Sequence, residues 1–334
     1  MCMGSGENKS ESDKELKQKK RTTRQAAADL RGEHSPAWTD HSSNELQSLI
    51  DEAHEEHKEN MKVKEQTDEK EVTSTKEASR LADTLKNLIA KLYVDHLSND
   101  GKMVNYQAVA SSPTFEKYCQ LTIQLQNVQL TSLTRKEKLA FFINVYNALV
   151  IHGQLKMGSP KNMWQRYRFL NSASYLIGGT VFTLQDIENG VLRGNKKGIA
   201  QLLRPFSKYD PRLLVALPDV EPLIHFALNW GAKGCPPIKA YVAKDVDRQL
   251  RKAAKDFLET EDGIQVNKAK GEIHLNHIFK WYQADFGDTD EKVLNWIINH
   301  MENSAKKENL KTIVEASSYK IMYLSSDWSS NAMD

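Results

Sequence analysis

The sequence predicts an α+β fold: a mainly helical single domain around a buried central helix with short antiparallel hairpins, preceded by a disordered N-terminal tail. Three observations carry this reading. Residues 1–78 are dominated by Glu, Lys, Ser, Asp, Gln and Asn with almost no aromatics, and such a composition buries too little apolar area to offset chain entropy. The stretch RKEKLAFFINVYNALVIHGQL is apolar on two opposite sides at helical spacing, as expected of a helix packed all round. Beyond it, helical patterns alternate with scattered hairpins and show no βαβ order, which points to α+β rather than a doubly wound sheet.

In the tail, KQKKRTTR (Lys17 to Arg24) is a basic cluster. It is a candidate nuclear-localisation or polyanion-binding signal and also an ordinary run of solvated charge. Ser42 and Glu45 have capping-box spacing, and Leu46, Leu49, Ile50 and Ala53 form one stripe, so a short helix over 43–60 is expected, transient or stabilised by a protein partner. The composition changes near Arg80, and the folded domain is read as 80–331. SNDG interrupts its first helical pattern as a turn. Thr134 and Glu137 then cap the central helix, in which Leu139, Phe142, Ile143, Tyr146, Leu149 and Val150 make one face and Ala148, Ile151 and Leu155 the other.

SYLIGGTVFTL reads as a hairpin turning at Gly178 and Gly179. Thr183 with Asp186 starts a short helix that Gly194 stops, and Pro222 and Gly231 bracket a helix of about two turns containing His225. DVDRQLRKAAKDFLET is amphipathic, EIHLNHIFKWYQADFG is a strand leading into a helix, EKVLNWIINHM is a helix, and YKIMYLSSDWSSN supplies a last strand and turn.

The chain has 334 residues and a net charge of +2, so nothing in the overall charge calls for a nucleic acid or an acidic membrane. Cys2, Cys119 and Cys235 are far apart and form no CxxC pair. This argues against a disulfide framework and a cysteine-rich zinc site, and fits a reducing compartment. No apolar leader or membrane-length run is present, so a soluble cytoplasmic protein is expected, or a nuclear one through Lys17 to Arg24. No cofactor is implied. His274 and His277 would fall on a strand and in a first helical turn, with no carboxylate cluster, so no metal site is expected.

The chemistry centres on HFALNWGAKGCPPIKAY, residues 225–241. Cys235 is a nucleophile, a metal ligand or a small buried residue at a stiff turn. As a nucleophile it needs a base, and His225 lies ten residues upstream with Gly231 and Gly234 between them; imidazole would lower the thiol pKa. Asn144, Asn147 and His152 stand among apolar neighbours on the central helix. Buried polar groups need partners, so the three either line a site or fix nearby loop backbone. Arg193 and Arg212 are candidates for binding a carboxylate or phosphate; alternatively Arg193 caps its own helix and Arg212 pairs with an acid such as Glu188.

FFINVYNALVIHG, FTLQDIENGVLRG, DPR, HFALNWGAKGCPPIKAY, FKWYQADFG and DWSSN together resemble, in this order, the motifs of the domain-of-unknown-function family 547 (DUF 547). The resemblance spans roughly residues 80–331. It implies that Asn144, Tyr146, Asn147, His152, Glu188, Arg193, Arg212, His225, Gly231, Cys235 and Pro236 occupy signature positions. Related sequences typically read ALNCGAKSCPP, whereas this chain has Trp230 for the first cysteine and Gly234 for the serine. A cysteine-pair chemistry is therefore excluded here.

Besides a binding domain for a small anionic ligand held by Arg193, Arg212 and helix-terminal amides, two functions follow as expectations. One is a thiol-dependent hydrolase or transferase with Cys235 as nucleophile, His225 or His152 as base and Asn144 polarising the acyl group, beside binding residues Asn147, Glu188, Arg193 and Arg212. The other is a non-catalytic interaction module whose tail orders on a protein partner. Relatives carrying this domain beside zipper or signalling modules favour the second.

Overall fold

A computed structural model describes residues 81–333 apart from 82 and 200. The tail, its helix at 43–60 and the basic cluster from Lys17 to Arg24 lie outside the described residues. Helix α1, residues 83–96, buries Leu85, Ile89, Leu92 and Tyr93, the single stripe of a helix lying on a core. After the SNDG turn come α2 (Tyr106–Ala110) and α3 (Pro113–Thr122). Helix α4 (Arg135–Met157) is the predicted central helix, and all residues from Leu139 to Ile151 are buried. Its capping box is formed in both directions: Glu137 N–H donates to Thr134 Oγ1 at 3.4 Å, and Thr134 N–H donates to Glu137 Oε2 at 2.8 Å.

Helix α5 (Met163–Ser172) packs Phe169 and Leu170 inward but leaves Met163, Trp164 and Tyr167 exposed. Strands β1 (Ser174–Ile177) and β2 (Thr180–Thr183) pair antiparallel, with Ile177 opposite Thr180. Gly178 and Gly179 both turn at positive φ, 56° and 76°, as a two-residue I′ turn requires. Thr183 caps the next segment by exchanging bonds with Asp186. That segment, Asp186–Leu192, is a π-helix: Arg193 N–H reaches Glu188 O and Asn195 N–H reaches Gly190 O, both at 2.9 Å. The sequence gives a helix here but not its widened ladder.

Pro222–Phe226 forms a 3-10 helix shorter than the two turns expected. The reason is local competition. Asn147 on α4 donates its amide to Ala227 O and accepts the N–H of Asn229, so the backbone groups of a second turn are bonded to a side chain instead. The chain then forms α6 (Val246–Glu259), β3 (Ile264–Asn267), β4 (Glu272–Leu275), α7 (Ile278–Trp281) and α8 (Gln283–Phe286). It ends with α9 (Asp290–His300), α10 (Ala305–Glu315) and β5 (Lys320–Tyr323).

The expected antiparallel hairpins are present, β1 with β2 and β3 with β4. In addition, β5 joins the other edge of β4 in parallel, Glu272 opposite Lys320. The α7–α10 crossover supplies the length that a parallel return needs. Among the described residues no helix is long and apolar enough to cross a membrane.

Candidate functional site

The loop carrying Cys235 is held by the polar sector of α4. Asn144 donates to Tyr241 O and accepts Tyr241 N–H, both at 2.8 Å. Asn147 brackets Ala227 and Asn229 in the same way at 2.8 and 2.9 Å. Asn229 continues the work, donating to Pro236 O at 2.8 Å and accepting Gly231 N–H at 2.7 Å. Gly231 stands at φ 77°, and a Cβ there would lie 1.6 Å from Gln154 Nε2, so the loop needs glycine both for conformation and for contact with α4. Asn144 and Asn147 thus both fix loop backbone.

The C-terminal segment closes the other side. Lys233 N–H donates to Ser329 O, Gly234 N–H to Asp327 O, and Asn331 N–H to Gly231 O. Trp328 is thereby brought against Trp230, the ring centroids 5.8 Å apart and nearly parallel, and Trp281 of α7 stacks on Trp230 at 6.0 Å.

Below this tryptophan wall is a buried ionic network. Asp285 on α8 receives Arg193 Nε at 2.5 Å and His225 Nε2 at 2.9 Å on one oxygen, and Arg193 Nη2 at 3.0 Å and Lys196 Nζ at 3.3 Å on the other. These donors hold the Asp285 carboxyl well below the usual carboxylate range against the opposing effect of burial. Burial is the largest influence on His225 and lowers its pKa, so the ring is neutral. Since Asp285 only accepts, Nε2 carries the proton and Nδ1 the lone pair. The ring stacks on Tyr282 at 4.0 Å, and Arg193 lies over the same tyrosine at 4.5 Å. Tyr282 and Tyr146 each donate a hydroxyl to Glu188, one to each carboxylate oxygen.

Cys235 and His225 line one small cavity of about 30 Å³, together with Glu188 and Tyr282. The thiol differs from the expectation of a lowered pKa. Burial pushes it up, because the site withholds water from a thiolate and the ring expected to offset this is neutral. Trp230 N–H points at the sulfur at 3.4 Å. His152 is elsewhere: its Nδ1 is 2.8 Å from the Tyr175 hydroxyl, its Nε2 is 3.9 Å from Cys119 Sγ, and Phe115 packs edge-on against it. It does not line the cavity that holds Cys235 and His225.

Arg193 is taken up by Asp285. Arg212 is neutralised by Asp210 and Asp186, at 2.8 and 3.0 Å, rather than by Glu188. Among the described residues no group of three or more His, Cys, Asp and Glu side chains is placed to hold a metal ion.

A second, larger cavity of about 430 Å³ shares Glu188, Trp230, Trp281, Tyr282 and Trp328 with the first. Its rim is Met163, Trp164 and Tyr167 of α5, the two rings stacked 6.1 Å apart. Arg166, 3% exposed, reaches into it from the same helix. Sequence reasoning did not select Asp285, Tyr282, Arg166 or Trp328. The available signals were the acid inside the aromatic run FKWYQADF and the arginines set between aromatics in MWQRYRF.

Residues 130–258 match the model of a family described as "Protein of unknown function, DUF547", and in that segment the chain is similar to that family. The matched segment includes Asn144, Asn147, Glu188, Arg193, His225 and Cys235; Asp285 and Trp328 lie beyond it. No curated protein and no solved structure matches the chain.

Proposed function

We propose that the DUF547-like domain of this chain is a small-molecule-binding domain whose site is the tryptophan-walled groove over Glu188. The observation that carries this is the groove itself. Its volume of about 430 Å³ falls within the roughly 300–1,000 Å³ usual for ligand pockets, and its aromatic lining with few polar groups is of the same kind. Trp164 is 67% exposed at the rim, a large apolar surface left in water beside a concavity. Fragment binding read by tryptophan fluorescence tests this. Aromatic fragments should quench the wall, and Trp164→Ala and Ile199→Trp should weaken them. Fragments that bind with equal strength to all three proteins, or none that bind, would reject the reading.

A second reading, thiol-dependent acyl transfer, is favoured by one observation: Cys235 faces the cavity of a histidine tethered to a carboxylate. Because the thiol is protonated at rest, the S–C bond would form as His225 Nδ1 takes the thiol proton. That proton would then pass to the departing group. Peptide mapping after treatment with p-nitrophenyl acetate tests it. Acylation of Cys235 that disappears in His225→Gln supports the reading; acylation that persists in the variant, or that spares Cys235, sinks it.

A further inference from the structure

Arg166 is the exception among the arginines that face the interior. Arg193 and Arg212 each hold carboxylates, whereas Arg166 has no carboxylate partner among the described residues. Its Nη1 and Nη2 donate to the backbone carbonyls of Trp230 at 2.9 Å and Trp328 at 3.0 Å, and the guanidinium lies 5.1 Å from the Trp328 ring centroid. Carbonyl dipoles and an indole face solvate a cation but do not neutralise it.

The acids nearest to it do not supply the charge. Cys235, Tyr146 and Tyr106 are the groups that act on Arg166 electrostatically, and burial raises the pKa of each, so all three are neutral at ordinary pH. Glu188 borders the same groove and keeps its charge, but its two oxygens accept tyrosine hydroxyls and among the described residues it forms no ion pair with Arg166.

A buried guanidinium with spare donors, carried on the wall of an aromatic groove, is complementary to a ligand of opposite charge. We infer that the groove takes an amphipathic anion: a flat apolar body stacked along Trp230, Trp328 and Trp164, with a carboxylate or phosphate anchored on Arg166. The inference rests on the groove being a ligand site and adds the chemical class.

The test compares isosteric probes on the intact protein. Naphthalene-1-acetate, its uncharged amide and 1-naphthyl phosphate are titrated against tryptophan fluorescence and by calorimetry, at low and high salt. The anions should bind at least tenfold more tightly than the amide, and salt should reduce that ratio. Arg166→Gln should bring the ratio near one while the amide keeps its affinity, and Arg166→Lys should retain part of it. The relative strength of acetate and phosphate tells which anion is preferred. Equal binding of acid and amide to the unmodified protein would overturn the inference and leave the groove reading standing. Absence of binding by all three would remove both. Should Arg166→Gln not fold, the acid-to-amide ratio and its salt dependence in the unmodified protein decide.

Discussion

Replacing Asp285 with asparagine keeps the shape of the side chain and removes the carboxylate that four donors share. Arg193 gives it two bonds, and His225 and Lys196 give it one each. Both carboxylate oxygens accept two donors, so whichever way the new amide turns, its NH2 faces a pair of N–H groups. The Arg193 side chain, 5% exposed, is left charged without its ion-pair partner. Breaking a buried pair in this way costs about 3–5 kcal/mol, a large part of the roughly 5–15 kcal/mol that holds a domain folded. At a urea slope of about 2 kcal/mol/M the midpoint should fall by roughly 1.5–2.5 M. Arg193→Met combined with Asp285→Asn should recover part of the loss, since removal of both charges leaves no orphan. Urea unfolding followed by tryptophan fluorescence measures all three proteins. A loss below about 1 kcal/mol for Asp285→Asn, or a double variant no better than the single, would refute the idea that this pairing holds the site together.

Acid should destabilise the domain in two stages. His225 is held neutral with a lowered pKa, so below about pH 6.5 the unfolded chain takes up a proton that the folded one refuses, and stability falls by at most about 1.4 kcal/mol per pH unit. Asp285 has a depressed pKa; its contribution is present above about pH 3.9 and is lost as pH falls further. His152 is lowered too, so His225→Gln should flatten only part of the upper stage in unfolding curves taken between pH 7 and 5. Gly231→Ala should destabilise by about 1–3 kcal/mol in thermal denaturation, because φ is 77° and the Cβ would have to displace the Gln154 amide, 1.6 Å away. Asn147→Ala, which frees Ala227 O and Asn229 N–H inside the core, should cost about 1–3 kcal/mol for each group left unpaired, measured by urea unfolding. Iodoacetamide should modify the half-buried Cys119 before the buried Cys235 in native protein, read by peptide mass mapping.

The sequence carried what is decided within a few residues. The capping box of Thr134 and Glu137, the apolar two-sided run of α4, the Gly178–Gly179 turn and the importance of the Cys235 loop are all short-range patterns, because helix ends, side-chain periodicity and tight turns depend on neighbours along the chain. The parallel pairing of β5 was not visible, since it depends on where a long crossover returns the chain. The site depends on still longer contacts. His225 meets Asp285 sixty residues on, and Trp328 closes on Trp230 only because the C-terminal backbone pairs with residues 231–234. The sequence offers His152 as an alternative base for Cys235 and places it near Asn144 on α4, but the rotation of a helix fixes directions about its own axis and not what packs against each side; Tyr175 and Phe115 claim His152. The arginines show the same limit. Arg193, Arg212 and Arg166 are alike as letters, and only packing gives two of them carboxylates and leaves the third buried against carbonyls and an indole, because the surroundings that set the cost and use of a charge are assembled from distant parts of the chain.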